Sequence, residues 1–206
     1  DGDWDRQRRA ILGGLVPFPQ RVGTQLYFRG SASGYRHHLN ISRSGRTDLS
    51  AEMVFLFYPR SRADGPPPAY VPISEQCRQK YLVPLPGVWP SYSSKLKQLL
   101  ACGAVVIMPQ NDWYEWWYQL LQPFVHFVPT KNLASAQGRD LPAVLRCVRR
   151  HKREAAYIAN NAQKFVRDVL SLDLHSRYFR LLIERFHAAM VAGGAANFTR
   201  AANRAG

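Results

Sequence analysis

The sequence predicts an α/β fold: a Rossmann-like, mainly parallel sheet flanked by helices, with a helical C-terminal tail. Residues 80–109, KYLVPLPGVWPSYSSKLKQLLACGAVVIMP, read strand, loop, helix, strand. Residues 24–34 repeat the pattern of an apolar strand running into a loop of small residues. From residue 139 onward, apolar side chains recur near helical spacing. These observations divide the chain into a leading segment (1–23), a domain (24–192) and a small, polar, flexible tail (193–206).

In chain order, residues 1–23 carry charge and then Pro17 and Pro19, and predict a short helix or loop. Residues 24–29 alternate and are rich in aromatic side chains, as a strand requires. Gly30, Ser31, Ala32, Ser33 and Gly34 form a turn, and a helix is expected over 35–44. Residues 53–58 are a further apolar strand, 60–70 a Pro-rich surface loop, and 74–79 a short helix. In the central unit, Tyr81, Leu82, Val83 and Leu85 stop at Pro86-Gly87. Ser93 or Ser94 can cap a helix starting near Lys95, whose apolar face is Leu96, Leu99 and Leu100. Gly103 ends that helix, and 104–108 is a strand of the fully buried type. An aromatic-dense helix is expected over 111–121, and an alternating strand over 124–128 containing a packed, hydrogen-bonded His126. Helices follow over 141–151, 154–170 and about 174–192.

A strand that feeds a helix through a Gly/Ser loop directs backbone N–H groups and the positive end of the helix dipole toward an anion. Lys95 and Lys97 add cations to a first turn, where the dipole does not favour them. That placement suits either an ordinary βαβ unit with solvated lysines or an anionic ligand such as a phosphate.

The chain carries 28 Lys and Arg against 14 Asp and Glu, a formal net charge of +14. Acidic ligands are favoured, but the basic residues are scattered and no nucleic-acid motif is present, so nucleic acid is not the favoured partner. Residues 146–153 (RCVRRHKR) suit a solvated helix face. No apolar run is long enough to span a bilayer and no signal peptide opens the sequence. DGDWDRQRRA reads as the interior of a longer protein, so an upstream anchor or signal is an open expectation. Of the three cysteines, Cys77, Cys102 and Cys147, no pair has metal-ligand spacing, so no zinc site is expected. On the sequence alone, Cys77 and Cys102 fit buried free thiols, and Cys147 a buried helical one. Asn40 and Asn197 begin glycosylation sequons, which suit a secretory route.

The motif KYL…G…SSKLKxLLxCGxVV resembles the signature of the protein O-glucosyltransferase family (Rumi-like, shared with capsule-associated glycosyltransferases). Residues 27–31 (YFRGS), 113–131 (WYEWWYQLLQPFVHFVPTK) and helical segments at 155–165 and 178–186 continue it in order, over roughly residues 25–186. The resemblance implies the C-terminal, donor-binding half of a GT-B glycosyltransferase. It implies an inverting transfer of glucose or xylose from UDP-glucose or UDP-xylose to a protein serine or a glycan hydroxyl, with no metal and no other cofactor. The implied donor contacts are Arg29, Ser31 and Arg36 at the first loop, and Val88, Trp89, Ser93, Ser94 and Lys95 at the second. Lys95 stands where the family has arginine, which keeps the charge but loses the bidentate fork. Trp89 is placed either to stack on uracil or to pack the loop. Glu115 either accepts from the ribose hydroxyls or sits on a helix surface, and Arg29 has an alternative as a structural arginine.

The resemblance also implies a Cys77–Cys102 disulfide and the lumen of the endoplasmic reticulum or Golgi, with membrane anchoring through an upstream segment. The family's catalytic aspartate belongs to the N-terminal half, and no carboxylate here matches it. Catalytic residues are therefore expected in that half, within the same enzyme or a partner chain. Two other classes stay open: a catalytically inactive transferase-like subunit with a structural role, and a nucleic-acid binder.

Overall fold

The computed structural model describes residues 3–14, 16–31, 52–58, 71–86, 92–133 and 138–202, and their side chains except at 31, 57–58 and 194–202. Arg36, Asn40, Val88 and Trp89 lie outside these residues, as does the helix expected over 35–44; the side chain of Asn197 is likewise outside. The chain divides into two units, Asp1–Asp168 and Val169–Gly206.

The first unit is built on a five-stranded sheet of β1 (Val22–Ser31), β2 (Met53–Tyr58), β3 (Gln79–Leu82), β4 (Val105–Pro109) and β5 (Val128–Thr130). The order is β2-β1-β3-β4-β5, and every neighbouring pair is parallel. The α/β, Rossmann-like expectation therefore holds. Parallel neighbours require crossovers, and these put helices on the sheet faces. Before the sheet comes α1 (Trp4–Gly13); between strands come α2 (Ile73–Gln76) and α3 (Leu96–Ala101); after it come α4 (Leu141–Arg150) and α5 (Lys152–Val169).

Side-chain alternation divides the core between two faces. Leu26, Phe28, Phe55, Tyr81, Val105 and Ile107 join Leu141, Leu145 and Val148 of α4 and Ile158 of α5 in one buried cluster. Leu82 and Val106, next in sequence to Tyr81 and Val105, therefore point to the other face. There α3 packs on β4 and α1 packs on α3, with Leu96, Leu99 and Leu100 buried.

The Cys77–Cys102 disulfide is formed, with Cα atoms 4.8 Å apart, and it ties the segment before β3 to the end of α3. Arg21, buried at 5 % exposure, donates to the carbonyl oxygens of both Cys77 and Cys102. Burial lowers its pKa to about 10. Gly103 follows α3 with φ +65, the left-handed conformation expected of a helix stop.

Four local expectations are corrected. Neither Ser93 nor Ser94 caps α3: Lys95 occupies the cap position in helical conformation with no side-chain cap. The Ser93 carbonyl accepts instead from the Leu96 N–H at 3.0 Å, which closes a turn before the helix. The aromatic stretch 111–121 winds only at Trp116–Leu120, as a 3-10 helix. The Asn111 side-chain amide donates to the Trp113 carbonyl, a local bond that competes with helix formation.

Of residues 124–128, only Val128 lies in a strand, as the first residue of β5; 124–126 are a turn and Phe127 makes an isolated bridge with Pro123. Val125 and His126 N–H both donate to the Gln122 carbonyl, Phe124 takes φ 60, and Pro123 cannot donate to a ladder. His126 is hydrogen-bonded as expected, its Nδ1 accepting from the Gln122 N–H at 3.0 Å. Finally, Cys147 is exposed on α4, because the buried stripe of that helix is Leu141, Leu145 and Val148.

The second unit contains α6 (Leu172–Ala202). Its start is held by the Leu174 N–H donating to Ser171 Oγ and by an Arg177–Asp173 ion pair at 3.1 Å. Phe179, Leu182, Ile183, Phe186 and Met190 are all exposed on it. Among the described residues, no helix is long and apolar enough to cross a membrane.

Candidate functional site

In an open parallel sheet, ligands sit outside the carboxyl ends of the strands, where the winding direction reverses. The order β2-β1-β3-β4-β5 puts that reversal between β1 and β3. Ser31 ends β1, and the loop holding Ser93 and Lys95 follows β3. The two predicted turns thus leave adjacent strands at the same edge.

A direct bond joins them. Lys95 Nζ donates to the Arg29 carbonyl at 2.7 Å, two residues before the end of β1. The placement brings a full positive charge to the β1–β3 reversal point. Lys97, the other lysine of the first turn, leaves the edge: its Nζ lies 5.0 Å from the centroid of the Trp4 ring on α1. With α3 only six residues long, the side-chain cation rather than the helix dipole supplies the charge here.

Glu115 reaches the same neighbourhood from the segment after β4. Its Oε2 accepts from Trp117 Nε1 at 2.8 Å. Trp117 is buried between Tyr118, with ring centroids 4.5 Å apart, and Phe165 of α5 at 6.2 Å. That anchor fixes the carboxylate against the buried indole. Ser93 is buried, whereas Ser94 is exposed.

Tyr118 was not singled out by the sequence. Its hydroxyl is buried and has no hydrogen-bond partner of standard geometry among the described residues. Its proton is held well above the ordinary phenol range by burial, then by the Glu115 carboxylate and Tyr92; the Ser93 backbone opposes this. These effects place Tyr118, Glu115, Tyr92 and Ser93 in one cluster. Tyr92 is itself exposed and offers an aromatic face directly beside Ser93. The available signal was position: Tyr92 lies inside the serine loop, and Tyr118 follows Glu115 by one helical turn.

At the far end of the edge, Asp140 ties β5 to α4. Its Oδ2 accepts from Thr130 Oγ1 and from the Lys131 N–H, the latter at 2.9 Å. The Gln110 N–H donates to the Thr130 carbonyl at 3.0 Å, joining the ends of β4 and β5. The structure thus gathers Arg29, Ser31, Ser93, Lys95 and Glu115 along the carboxyl ends of β1, β3 and β4. The arrangement offers the Lys95 cation, the Ser93 hydroxyl with backbone donors, the Glu115 carboxylate and the Tyr92 ring, a set suited to a nucleotide carrying phosphate groups.

The pattern of Glycosyl transferase family 90 matches residues 2–193. The chain is 29% identical over 191 residues to O-glucosyltransferase rumi of Drosophila pseudoobscura pseudoobscura, covering 90% of this chain and 46% of that protein. It is 28% identical over 192 residues to O-glucosyltransferase rumi of Drosophila melanogaster, with the same coverage. It is 28% identical over 191 residues to Protein O-glucosyltransferase 1 of Homo sapiens, covering 90% of this chain and 47% of the relative. The chain spans about half the length of the curated relatives it matches. With the motif order, the parallel sheet and a match over most of its length all in agreement, the chain belongs to glycosyl transferase family 90.

Proposed function

We propose that this chain is the donor-binding half of an inverting glycosyltransferase. In this reading it holds UDP-glucose or UDP-xylose, and the sugar passes to a serine of a protein or to a glycan hydroxyl. The observation that carries the proposal is the Lys95–Arg29 bond across the β1–β3 reversal point. In this reading the Lys95 cation faces the diphosphate of the donor. Charge develops on the departing diphosphate in the transition state, so a fixed cation there stabilises the transition state more than the ground state. Ser31 and Arg36 from the first loop, and Val88, Trp89, Ser93 and Ser94 from the second, are proposed to complete the grip. Glu115 accepts from the ribose hydroxyls, and Tyr92 is added as a face for the base. No metal and no separate cofactor enter the proposed reaction.

The acceptor hydroxyl needs a base, which we place in a second Rossmann-like half, in the same polypeptide or in a partner chain. Two observations support a second half: the curated relatives are about twice as long as the matched region, and α6 exposes large apolar side chains. The disulfide supports a lumenal setting in the endoplasmic reticulum or Golgi, because such bonds persist in oxidising compartments.

A second reading is favoured by a specific observation: Lys95 holds a backbone carbonyl and Glu115 holds Trp117, so both have structural partners. An inactive transferase-like subunit would use them only in this way. Calorimetric titration with UDP-glucose, UDP-xylose and UDP separates the two. The donor-binding reading requires heat with UDP, and heat with at least one sugar nucleotide. A folded chain that gives none at millimolar nucleotide would leave the structural reading.

A further inference from the structure

The opposite edge of the sheet carries a second concentration of charge. A cleft of about 630 Å³ opens at the amino ends of the strands. Lys80, in the first half of β3, and Glu52, immediately before β2, line it together with Arg146, Arg149 and Arg150 of α4 and Lys152, the first residue of α5. Five cations face one carboxylate. That carboxylate is shared: Arg146 Nη1 lies 3.2 Å from Glu52 Oε2, and Arg149 Nη1 lies 3.7 Å from Oε1. Glu52 therefore braces two guanidinium groups in place while neutralising only part of the charge.

The simplest alternative is that cations favour the negative end of a helix dipole. It accounts for Arg149 and Arg150 in the last turn of α4. It does not account for Lys80, which arrives from the sheet and also lies over the Phe18 ring at 5.6 Å. Nor does it account for Lys152, which stands at the start of the next helix. Cations from three separate elements converging on one concavity, at a volume typical of small-ligand sites, describe an anion site built by the fold. Guanidinium forks suit oxyanions bearing several acceptor oxygens.

We propose that this cleft binds a compact multivalent oxyanion, two or more phosphate or sulfate groups on one ligand, at a site on the opposite sheet edge from the nucleotide site. The shared chemistry is the clustered oxyanion; a polyphosphate and a sulfated saccharide are its two sources.

The test titrates the full chain with inorganic tripolyphosphate and, separately, with a heparin-derived tetrasaccharide, at fixed ionic strength and with saturating UDP present or absent. The variant is Arg150→Gln with Lys152→Gln, which leaves the Glu52 brace intact, and its folding is checked by circular dichroism. The expected result is binding of one or both probes, weakened roughly tenfold or more in the variant and undisturbed by UDP. The probe that binds more tightly identifies the source. Four results would overturn the proposal: no heat with either probe at millimolar concentration, equal affinity in a folded variant, displacement of the probe by UDP, or salt-sensitive binding of duplex DNA with no response to either probe.

Discussion

Removing the Cys77–Cys102 disulfide should cost a calculable amount of stability. The two cysteines are 25 residues apart in sequence. Cross-linking a loop of that size removes about 12 cal/mol/K of entropy from the unfolded chain, or about 3.5 kcal/mol at 25 °C. The folded state should change little, because Arg21 still holds the carbonyl oxygens of both residues. The loss therefore falls on the unfolded side. For a chain of this length it corresponds to a drop in Tm of about 7–14 °C. In urea it shifts the midpoint by about 1 M or somewhat more. The assay compares oxidised protein, protein reduced in denaturant and refolded under reductant, and the Cys77→Ala/Cys102→Ala variant. The variant should lose slightly more than the reduced protein, since it also gives up two buried sulfurs. A near-UV circular dichroism spectrum retained on reduction, together with the expected midpoint shift, supports the reasoning. A shift equivalent to less than about 1 kcal/mol, with an unchanged urea slope, would refute it.

Further outcomes follow from the same geometry. Gly103→Ala should destabilise by about 1–2 kcal/mol, measured by urea titration, because φ +65 disfavours a side chain. An added Cβ there would also lie 3.0 Å from Gln163 Nε2 and 3.3 Å from Arg21 Nη2. Arg21→Met should cost about 2–6 kcal/mol by urea titration, since it leaves the Cys77 and Cys102 carbonyl acceptors unpaired; a neutral or stabilising result would mean that relief of the buried charge dominates. His126 is held below its ordinary pKa of 6.5 by burial, and its Nδ1 accepts a backbone N–H in the neutral form. The unfolded chain therefore takes the proton first. The neutral ring's contribution is full above pH 6.5 and declines as pH falls through that value toward the folded pKa. His126→Gln should flatten the dependence of Tm on pH in that window.

What the sequence made legible follows the range of the forces involved. The β3-loop-α3-β4 unit was readable because burial on both sheet faces writes near-continuous apolar runs, and because Gly103 marks a stop that other residues enter only with strain. The adjacency of the two turns was readable through the general rule on sheet edges, yet the bond that joins them was not: Lys95 and Arg29 are 66 positions apart, and a carbonyl acceptor leaves no trace in residue type. The errors arise where a local bond overrides periodicity. Asn111 bonding to the Trp113 carbonyl, and the double acceptance at the Gln122 carbonyl, break patterns that the aromatic spacing alone suggested. Arg21 was overlooked because an arginine between a Pro-containing segment and a strand reads as surface charge. Its burial depends on two carbonyls brought together by the disulfide. Cys147 reads as buried by type, but the register of α4 turns it outward.

The central claim is that a cation at the reversal point of the sheet grips a diphosphate, and the sharpest test of it is the affinity for UDP of Lys95→Met beside the parent chain. The bond from Lys95 to the Arg29 carbonyl is worth about 1.5–3 kcal/mol as a charged hydrogen bond, so folding of the variant is verified first by thermal melting. The account predicts measurable UDP binding by calorimetry in the parent and a loss of about tenfold or more in the folded variant. Equal UDP affinity in the two proteins, with both folded, would contradict it.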